Sequence, residues 1–536
     1  MPAPVDFDVV IVGAGFSGLY ALYRMRDVLG LSARVYEAGD GVGGTWYWNR
    51  YPGARCDSES FYYSYSFSEE LQQEWAWSTK YPEQPEILSY LEHVAERFDL
   101  VRDIQLSTRV TAAVFQDDRD CWEVHTDTGD VVTARFFISA VGCLSAANVP
   151  SIPGLDRFEG EWHHTGAWPH EGVDFGGKRV GLVGTGSTGI QATPVVAEQA
   201  EHLYVFQRTP NYSVPARNHP LTPEQLQEIK TNYAEIRRKC RESYAGFPYD
   251  LTLTSATAVS DEERLATYER LWAEEGGFKF IYGSYFDLLF NQAANDTAAE
   301  FIRGKIRQIV KDPVVAEKLV PKDYPYGTKR PPIDTDYFET FNRPNVTLVD
   351  VRETPITDVV PSGIRTTDAD YDVDIIVFAT GFDAMTGSLL KIDIRGREGM
   401  RLQEKWEAGP RTYLGLQVAG FPNMFTITGP GSPAVLANMP TAIEQHVEWI
   451  GDCVAHLRTH GLTRIEATTE AEEAWVDHVR QIAELTLYPQ ANSWYLGANI
   501  PGKKRVFMPY VGGFLPYTLR CAEVAERGYE GFALQP

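Results

Sequence analysis

The sequence predicts an α/β protein with two Rossmann-like dinucleotide-binding domains, one inserted in the other, and an additional helical insert. Three observations predict this fold. A glycine-rich turn between an apolar strand and a helix occurs at residues 13–18, and a second occurs at residues 184–189. A stretch with repeated helix-capping signals follows at residues 220–326. A glycine turn of this kind joins a strand to a helix whose amino terminus binds a pyrophosphate.

Length and composition narrow the class of protein. A chain of 536 residues exceeds one ordinary domain. Its formal net charge of −24 repels nucleic acid and anionic membranes, so we expect neither as a partner. The sequence lacks an apolar run of membrane-spanning length and a signal-peptide pattern, and its six scattered cysteines lack the spacing of a zinc site. We therefore expect a cytoplasmic protein without a metal site, as a monomer or a weak homo-oligomer.

The first glycine turn follows residues 7–12, Phe-Asp-Val-Val-Ile-Val, a run typical of a buried parallel strand. Gly13, Gly15 and Gly18 allow a tight turn, close approach of the backbone to a pyrophosphate, and close packing of helix on strand. A second strand ends at Glu37, 19 residues after Gly18. A carboxylate there accepts hydrogen bonds from ribose hydroxyls and repels a 2′-phosphate. This unit is predicted to bind the ADP half of FAD or NAD.

The second glycine turn repeats this arrangement after the strand at residues 179–183. It consists of Gly184, Thr185, Gly186, Ser187, Thr188 and Gly189. Arg208 lies 19 residues after Gly189, at the spacing that placed Glu37 in the first unit. A guanidinium there suits a 2′-phosphate through a charge-assisted contact. The second unit is therefore predicted to bind NADPH, and two dinucleotides in one chain indicate electron transfer from NADPH to FAD.

Two further apolar strands, at residues 136–142 and 374–381, indicate how the domains are connected. They resemble strands that return the chain from one nucleotide-binding domain to the other. We therefore predict an FAD-binding domain from residues 1–142 and 380–536. The predicted NADP-binding domain consists of residues 143–219 and 327–379, and is inserted between the two parts of the first.

Residues 220–326 are predicted to form a helical insert. Thr222-Pro223-Glu224-Gln225 offers a capping box with proline at the first helical position. Ser260-Asp261-Glu262-Glu263 repeats the capping pattern, and Asp312-Pro313 is predicted to begin a third helix. The charged faces of these helices are expected to be solvated surface.

A family resemblance rests on residues 158–169, which read Phe-Glu-Gly-Glu-Trp-His-His-Thr-Gly-Ala-Trp-Pro. They match Phe-x-Gly-x-x-x-His-x-x-x-Trp-Pro and resemble the fingerprint of type I Baeyer–Villiger monooxygenases. The resemblance covers essentially the whole chain, including residues 43–55, 379–383 and 494–503. It implies an enzyme that uses FAD, NADPH and O2 to convert a ketone into an ester or lactone through a flavin C4a-peroxide. His164 within the fingerprint is expected to be structural.

The resemblance also implies roles for individual residues. Arg330 matches the active-site arginine that stabilises negative charge during oxygen transfer, and Asp57 matches the carboxylate that orients it. Lys329, with Arg208 and Thr209, matches residues around the NADPH phosphate, and Trp494 matches a tryptophan on a loop that closes over the nicotinamide nucleotide. Further cofactor contacts are implied at Gly44, Thr45, Trp46, Asp57, Tyr63, Val110 and Gln191.

The segment at residues 429–439 bears on the substrate. It resembles the corresponding loop of phenylacetone and steroid monooxygenases, where a bulge lines the substrate pocket. That resemblance implies a pocket at Ala434, Val435, Leu436 and Met439. Residues 44–46 and 329–332 are more similar to cycloalkanone enzymes. We expect a pocket for bulky cyclic or aryl ketones.

Three other functions compete with this interpretation. A flavin-dependent N- or S-oxygenase shares both nucleotide folds, but it does not need the arginine at position 330. A flavoprotein disulfide reductase needs a Cys-x-x-x-x-Cys pair, which does not follow the first glycine turn. A non-catalytic nucleotide sensor would consume neither O2 nor NADPH, and the presence of Arg330 and Asp57 argues against it.

Overall fold

The structure is a computed structural model that describes residues 4–250 and 252–536. Its strands are β1 Phe7–Val12, β2 Ala33–Tyr36, β3 Ile104–Gln105, β4 Val110–Gln116, β5 Cys121–Thr126, β6 Val131–Ser139, β7 Glu161–His164, β8 Arg179–Val183, β9 His202–Gln207, β10 Val214–Pro215, β11 Ile333–Asp334, β12 Val346–Asp350, β13 Ile356–Val360, β14 Gly363–Thr366, β15 Asp370–Asp372, β16 Ile375–Phe378, β17 Asp393–Arg395, β18 Met424–Thr426, β19 Arg464–Ala467 and β20 Phe532–Gln535. Its α-helices are α1 Phe16–Tyr23, α2 Thr45–Trp48, α3 Glu69–Glu74, α4 Gln84–Arg97, α5 Ser187–Gln199, α6 Pro223–Thr231, α7 Tyr233–Glu242, α8 Asp261–Arg270, α9 Lys279–Tyr282, α10 Gln292–Ile309, α11 Pro313–Leu319, α12 Tyr337–Thr340, α13 Gly387–Leu390, α14 Leu402–Lys405, α15 Met439–Thr459, α16 Thr469–Glu484 and α17 Phe514–Glu526.

The larger sheet is built around β1. Its strand order is β17-β4-β5-β6-β1-β2-β3, and β18 pairs with the carboxyl-terminal end of β6. Strand β1 runs parallel to β2 and β6, with Val9 opposite Ala33 and Phe136. Val9, Val10 and Ile11 are fully buried, as expected for a parallel strand covered on both faces. The first glycine turn therefore lies at the carboxyl edge of a central strand, where open α/β sheets bind ligands.

The second sheet is built around β8 and has the order β12-β9-β8-β16-β7. Strand β8 runs parallel to β9 and β16, with Val180 opposite Leu203 and Ile375. All five strands lie between residues 161 and 378, whereas the larger sheet takes strands from both sides of that interval. The second sheet thus interrupts the first in the chain, which is the arrangement on which the predicted insertion depends.

Two segments connect the sheets and pair with each other. Ala147 forms an antiparallel bridge with Phe382. The Asp383 N–H donates to the Ala146 carbonyl, and the Met385 N–H donates to the Cys143 carbonyl, both at 2.8 Å. Residues 143–147 leave the larger sheet, and residues 382–385 return to it. Because these two segments are hydrogen-bonded to each other, they form a single paired connection between the sheets.

Helices α6 to α11 occupy the predicted insert between residues 223 and 319. Thr222 and Gln225 form the complete capping box expected before α6. Ser260 caps α8 by accepting from the Glu263 N–H, and Asp312 caps α11 by accepting from two backbone N–H groups. Within residues 4–250 and 252–536, no helix is long and apolar enough to cross a membrane.

Candidate active site and nucleotide sites

The first glycine turn, between β1 and α1, leaves no room for a side chain at Gly13 or Gly18. A Cβ atom on Gly13 would lie 2.6 Å from the Ala140 carbonyl oxygen, and a Cβ atom on Gly18 would lie 1.7 Å from the Gly13 oxygen. Helix α1 begins at Phe16 without a side-chain cap. Its first backbone N–H groups and the helix dipole therefore remain free to bind an anion. A dinucleotide pyrophosphate fits this turn.

Glu37 follows β2 and fixes the position of the turn. Its carboxylate accepts the N–H groups of Ala14 at 2.7 Å and Gly39 at 2.8 Å. Burial raises the pKa of Glu37 despite these two bonds. Each carboxylate oxygen has lone pairs beyond those used here. The carboxylate can therefore accept ribose hydroxyls while it holds the turn.

The other predicted contacts of this unit lie on elements that surround the turn. Thr45 and Trp46 are on α2, Val110 begins β4, and Gly44 packs so closely on Gly15 that a Cβ atom on Gly15 would lie 3.2 Å from its Cα. The Trp46 indole N–H donates to the Tyr63 hydroxyl at 3.2 Å. The bond joins two predicted cofactor positions that are 17 residues apart in the chain.

The second glycine turn, between β8 and α5, has the same tight packing but one open position. A Cβ atom on Gly189 would lie 2.1 Å from the Gly184 oxygen, whereas one on Gly186 would meet nothing within 4 Å. Helix α5 begins at Ser187, followed by Thr188, and has no side-chain cap. The Thr185 hydroxyl donates to the Thr209 carbonyl at 2.9 Å. The turn therefore has room for a pyrophosphate at Gly186, next to the uncapped N–H groups at the start of α5. The bond from Thr185 also connects the turn to the segment that carries Arg208.

Two cations lie together beyond this turn. Arg208 is exposed directly after β9, and Lys329 is half-buried in the loop that leads to β11. Burial and the positive charge of Arg208 lower the pKa of Lys329 to about 8. Two cations that destabilise each other are suited to a dianion that neutralises both. The pair fits the 2′-phosphate that the sequence predicts here.

Gln191 occupies a different environment from the other predicted cofactor contacts. Its side-chain oxygen accepts the Tyr51 hydroxyl at 2.7 Å, and its amide nitrogen donates to the Arg55 carbonyl at 3.1 Å. Gln191 thus binds α5 to the segment that precedes Asp57. Its predicted contact with a cofactor stays a prediction, because both ends of the side chain already have partners.

Arg330 and Asp57, 273 residues apart in the chain, form a bidentate ion pair. The Arg330 Nε donates to one Asp57 oxygen at 2.9 Å, and Nη2 donates to the other at 2.8 Å. Nη1 donates to the Val435 carbonyl at 2.7 Å, and the guanidinium carbon lies 4.6 Å from the ring centroid of Phe278. The Arg330 guanidinium is therefore held by Asp57 along the edge that carries Nε and Nη2, by the Val435 carbonyl at Nη1, and by the Phe278 ring over one face.

The charge and the remaining donors of Arg330 follow from this arrangement. Burial opposes the charged form, but the charge and hydrogen bonds of Asp57 outweigh it and raise the pKa of Arg330 above its usual value. A guanidinium has five N–H groups, and Asp57 and Val435 use three of them. Two N–H groups, one on each terminal nitrogen, are used by neither Asp57 nor Val435 and can donate to an anion that develops beside the pair.

The predicted substrate bulge lies against this arginine. Ala434 and Val435 are buried in a short 3₁₀ turn, and Leu436 and the first residue of α15, Met439, are partly exposed. Ala434 has φ of +41°, which is strained for a residue with a Cβ atom. The turn directs the Val435 carbonyl to Arg330, so the bulge helps to position the arginine, and its predicted lining of a substrate pocket stays a prediction.

Trp494 begins a 3₁₀ turn in a loop that is bonded to the connection between the sheets. Its ring centroid lies 4.3 Å from that of Tyr495. Further along the loop, the Asn499 amide donates to the Phe382 carbonyl at 2.8 Å. The Lys503 ammonium contacts the Asp383 carboxylate at 2.5 Å and the Ala384 carbonyl at 3.0 Å. These three bonds hold the loop on residues 382–384.

His164 is the last residue of β7, at the edge of the second sheet. Its Nδ1 accepts the Gly166 N–H at 3.0 Å, and burial lowers its pKa. Trp168 is buried, and its backbone N–H donates to the Trp48 carbonyl at 3.4 Å. These contacts agree with a structural role for the fingerprint.

Sequence reasoning missed four partners of the predicted site. They are Phe278, which covers Arg330; Tyr324, whose ring centroid lies 4.6 Å from the Lys329 ammonium; and the pair Asp383 and Lys503. Three of them had a signal: Tyr324 lies five residues before Lys329 in the same proline-containing loop, and Asp383 and Lys503 end two segments that carry the family resemblance. Phe278 had none, because it is brought to Arg330 by tertiary packing.

The chain is similar to known proteins over its whole length. The family model of flavin-binding monooxygenase-like proteins matches residues 7–218. A Baeyer–Villiger monooxygenase of Pseudooceanicola batsensis is 46% identical over 98% of this chain and 95% of its own length. A phenazine N-monooxygenase of Lysobacter antibioticus is 44% identical over 98% of this chain and 97% of its own length.

Solved structures agree over the same extent. Oxidised steroid monooxygenase bound to NADP is 57% identical, with a TM-score of 0.94 over 99% of both chains. A complex of the protein OTEMO with FAD and NADP is 44% identical, with a TM-score of 0.96 over 99% of this chain and 100% of that one. The predicted α/β fold class and the two predicted cofactors are confirmed by these similarities.

Proposed function

Since the chain belongs to the Baeyer–Villiger monooxygenases, within the flavin-binding monooxygenase-like family, we propose that Arg330 and Asp57 form its catalytic centre and that it acts on bulky cyclic or aryl ketones. The reaction is the oxidation of a ketone to an ester or lactone with FAD and NADPH. The observation that carries the assignment of the centre is the fixed guanidinium of Arg330, with two N–H groups that neither Asp57 nor Val435 uses.

Arg330 stabilises the negative charge that develops during oxygen transfer. When bound, FAD activates O2 for the reaction and NADPH supplies the electrons. Attack on the ketone makes its carbonyl oxygen negative, and donors already oriented toward that charge need no reorganisation when it forms. Asp57 and the Val435 carbonyl hold Arg330 in place. Its pKa lies above the usual arginine value, so the charge is present throughout the working pH range.

The cofactors are proposed to occupy the two glycine turns. FAD lies at Gly13, Gly15 and Gly18 with its ribose at Glu37, and NADPH lies at the turn that contains Gly186. The close packing of both turns and the uncapped helices behind them support this placement. The Arg208 and Lys329 pair supports the 2′-phosphate, and therefore NADPH in the second turn.

The substrate class rests on the bulge at residues 434–436. The bulge is made of apolar residues, and the Phe278 ring contacts Arg330 from the helical insert. A substrate held between them is flanked by apolar and aromatic side chains and presents its carbonyl to the guanidinium. The 57% identity to a steroid monooxygenase further supports a bulky substrate.

A panel of ketones tests this substrate class. The purified holoenzyme is incubated with NADPH and phenylacetone, cyclohexanone or a steroid ketone, and products are identified by mass spectrometry. We expect kcat/KM for the bulky ketones to exceed that for cyclohexanone by about tenfold or more, because each additional buried apolar group contributes binding energy. Turnover of small cycloalkanones alone would contradict the substrate class but leave the reaction standing.

N-oxygenation is a second candidate, favoured by one observation. The phenazine N-monooxygenase is nearly as similar to this chain as the Baeyer–Villiger monooxygenase. In N-oxygenation the ring nitrogen of an aromatic heterocycle attacks as a nucleophile. No negatively charged carbonyl oxygen forms, so no group is needed to stabilise one. Replacement of Arg330 would then spare N-oxide formation. A thioether would not discriminate, but comparison of a ketone with an aromatic N-heterocycle does.

The contact between Lys503 and Asp383 is predicted to keep the Trp494 loop closed. Lys503→Met removes the ammonium but keeps most of the aliphatic side chain. We expect NADP+ to dissociate about fivefold faster, because a partly buried ion pair contributes about 1 kcal/mol. Stopped-flow absorbance of the bound flavin during NADP+ dissociation measures this rate.

The exposed neighbour Lys504 provides the matched control, since Lys504→Met removes the same charge beside the contact. Asp383→Asn should reproduce the effect of Lys503→Met, and the double variant should be no faster than either single variant. Additive effects in the double variant would show that the two residues act separately and would refute the contact as the cause.

A further inference from the structure

Tyr324 lies between the two halves of the predicted phosphate site. Its ring centroid is 4.6 Å from the Lys329 ammonium. Its hydroxyl lies 3.0 Å from the Pro210 carbonyl oxygen and 2.9 Å from the side-chain oxygen of Asn211. Pro210 and Asn211 continue the turn that begins with Arg208. The Tyr324 ring therefore contacts the Lys329 ammonium directly, and the Tyr324 hydroxyl contacts the residues that follow Arg208.

The orientation of Tyr324 is itself fixed. The side chain is buried, and its ring meets that of Tyr212 edge-on at 5.4 Å. The Tyr212 hydroxyl accepts from the Arg303 guanidinium at 2.7 Å, and Arg303 also donates to the Pro321 carbonyl at 2.8 Å. This support comes from α10 and the loop after α11, outside the glycine turn. The ring consequently presents one face to Lys329 in a constant position.

We propose that Tyr324 is a positioning residue for NADPH specificity: its ring holds the Lys329 ammonium beside Arg208, and its hydroxyl fixes the turn that carries Arg208. The inference rests on the proposed placement of the 2′-phosphate at Arg208 and Lys329. It adds an uncharged residue, Tyr324, whose role is to determine the positions of the Lys329 and Arg208 side chains rather than to bind the nucleotide itself.

The physical need for such a residue follows from the charges around Lys329. Arg208 repels the ammonium, and Asp323 attracts it but is already paired with Arg352 at 2.8 Å. A flexible lysine in that position would turn toward solvent before the nucleotide arrives. The electron-rich face of a tyrosine attracts an ammonium and adds no charge that would repel a phosphate. A carboxylate in the place of Tyr324 would hold Lys329 equally well but would oppose the ligand.

Dissociation constants of the holoenzyme for NADP+ and NAD+, measured by isothermal titration calorimetry, test the proposal. Tyr324→Leu removes ring and hydroxyl, and we expect NADP+ to bind about threefold to tenfold more weakly with NAD+ unchanged. Tyr324→Phe keeps the ring, and we expect a loss of at most about threefold for NADP+. The ratio of the two constants isolates the phosphate contribution from any general loosening of the fold.

Lys329→Met separates failure of this inference from failure of its premise. An unchanged preference for NADP+ in Lys329→Met would refute the placement of the phosphate at Lys329, on which this inference rests. If Lys329→Met loses the preference and Tyr324→Leu keeps it, Tyr324 has no positioning role. An equal weakening of NADP+ and NAD+ in Tyr324→Leu would likewise overturn the proposal, because it would show only structural damage.

The pH dependence of NADP+ binding gives a second readout. The pKa of Lys329 is about 8, so affinity for NADP+ should fall as the pH rises through that value and the ammonium is lost. Burial is the largest cause of the lowered pKa of Lys329, and the leucine of Tyr324→Leu keeps an apolar side chain at that position that retains it; Arg208 and Asp323 are also unchanged, so the main loss is the ring that stabilises the charged form. We therefore expect the midpoint of the fall to move to lower pH by up to about half a unit in this variant. A midpoint that stays in place or moves upward would overturn the contact between ring and ammonium.

Discussion

Replacement of Arg330 by alanine is expected to abolish ester formation while NADPH oxidation continues. The guanidinium is held by Asp57 and Val435, and the two N–H groups that these partners do not use can donate to the charge that forms during oxygen transfer. Loss of prepositioned donors of this kind costs about 10²- to 10³-fold in rate. Mass spectrometry of the product and the absorbance of NADPH measure the two half-reactions separately, and hydrogen peroxide should account for the NADPH consumed.

The principal alternative explanation is damage from the carboxylate that Arg330 leaves behind. An unpaired, largely buried Asp57 is costly and could disturb the site by itself. The double variant Arg330→Ala/Asp57→Ala removes both charges and should restore thermal stability without restoring ester formation. Arg330→Lys keeps the charge but cannot form the bidentate pair, so an intermediate rate is expected. Ester formation at the normal rate in Arg330→Ala would refute the proposed mechanism.

The parts of the fold that the sequence predicted are those determined by neighbouring residues. Strands β1 and β8, the glycine turns and helices α1 and α5 are each specified within about 25 residues by apolar runs, glycines and helix-forming segments. The capping box at Thr222 is equally local, and the structure contains it. Local patterns of this kind do not depend on how the rest of the chain folds, which is why they can be read directly.

The shape of the catalytic centre could not be predicted in this way. The pairing of Arg330 with Asp57 spans 273 residues and was expected only from the family resemblance. Phe278 reaches Arg330 from the helical insert, and the Val435 contact uses a backbone carbonyl, which no residue pattern encodes. Such contacts depend on tertiary packing and on the strained turn at Ala434.

Gln191 shows what a resemblance leaves open, since its predicted contact with a cofactor stays a prediction. The position matched a cofactor contact, yet its side chain is bonded to Tyr51 and to the Arg55 carbonyl. A glutamine on the first turns of α5 can reach either the nucleotide or the neighbouring domain, because its side chain has several rotatable bonds. Which partner it takes is decided by Tyr51, a residue 140 positions away in the chain.

Replacement of Arg208 by alanine is expected to raise the Michaelis constant for NADPH by about 10- to 100-fold and to leave that for NADH within about twofold. Arg208 is exposed and is proposed to contact only the 2′-phosphate, which NADH lacks, and a charge-assisted hydrogen bond contributes about 1.5–3 kcal/mol. Lys178→Ala removes an exposed positive charge at the opposite, amino edge of the same sheet and controls for net charge. Steady-state kinetics with both nucleotides at saturating ketone provide the measurement. Since kcat should be unchanged, an equal rise for NADPH and NADH would mean that Arg208 supports the turn rather than the phosphate, and the basis for choosing NADPH over NADH would have to lie in Lys329 alone.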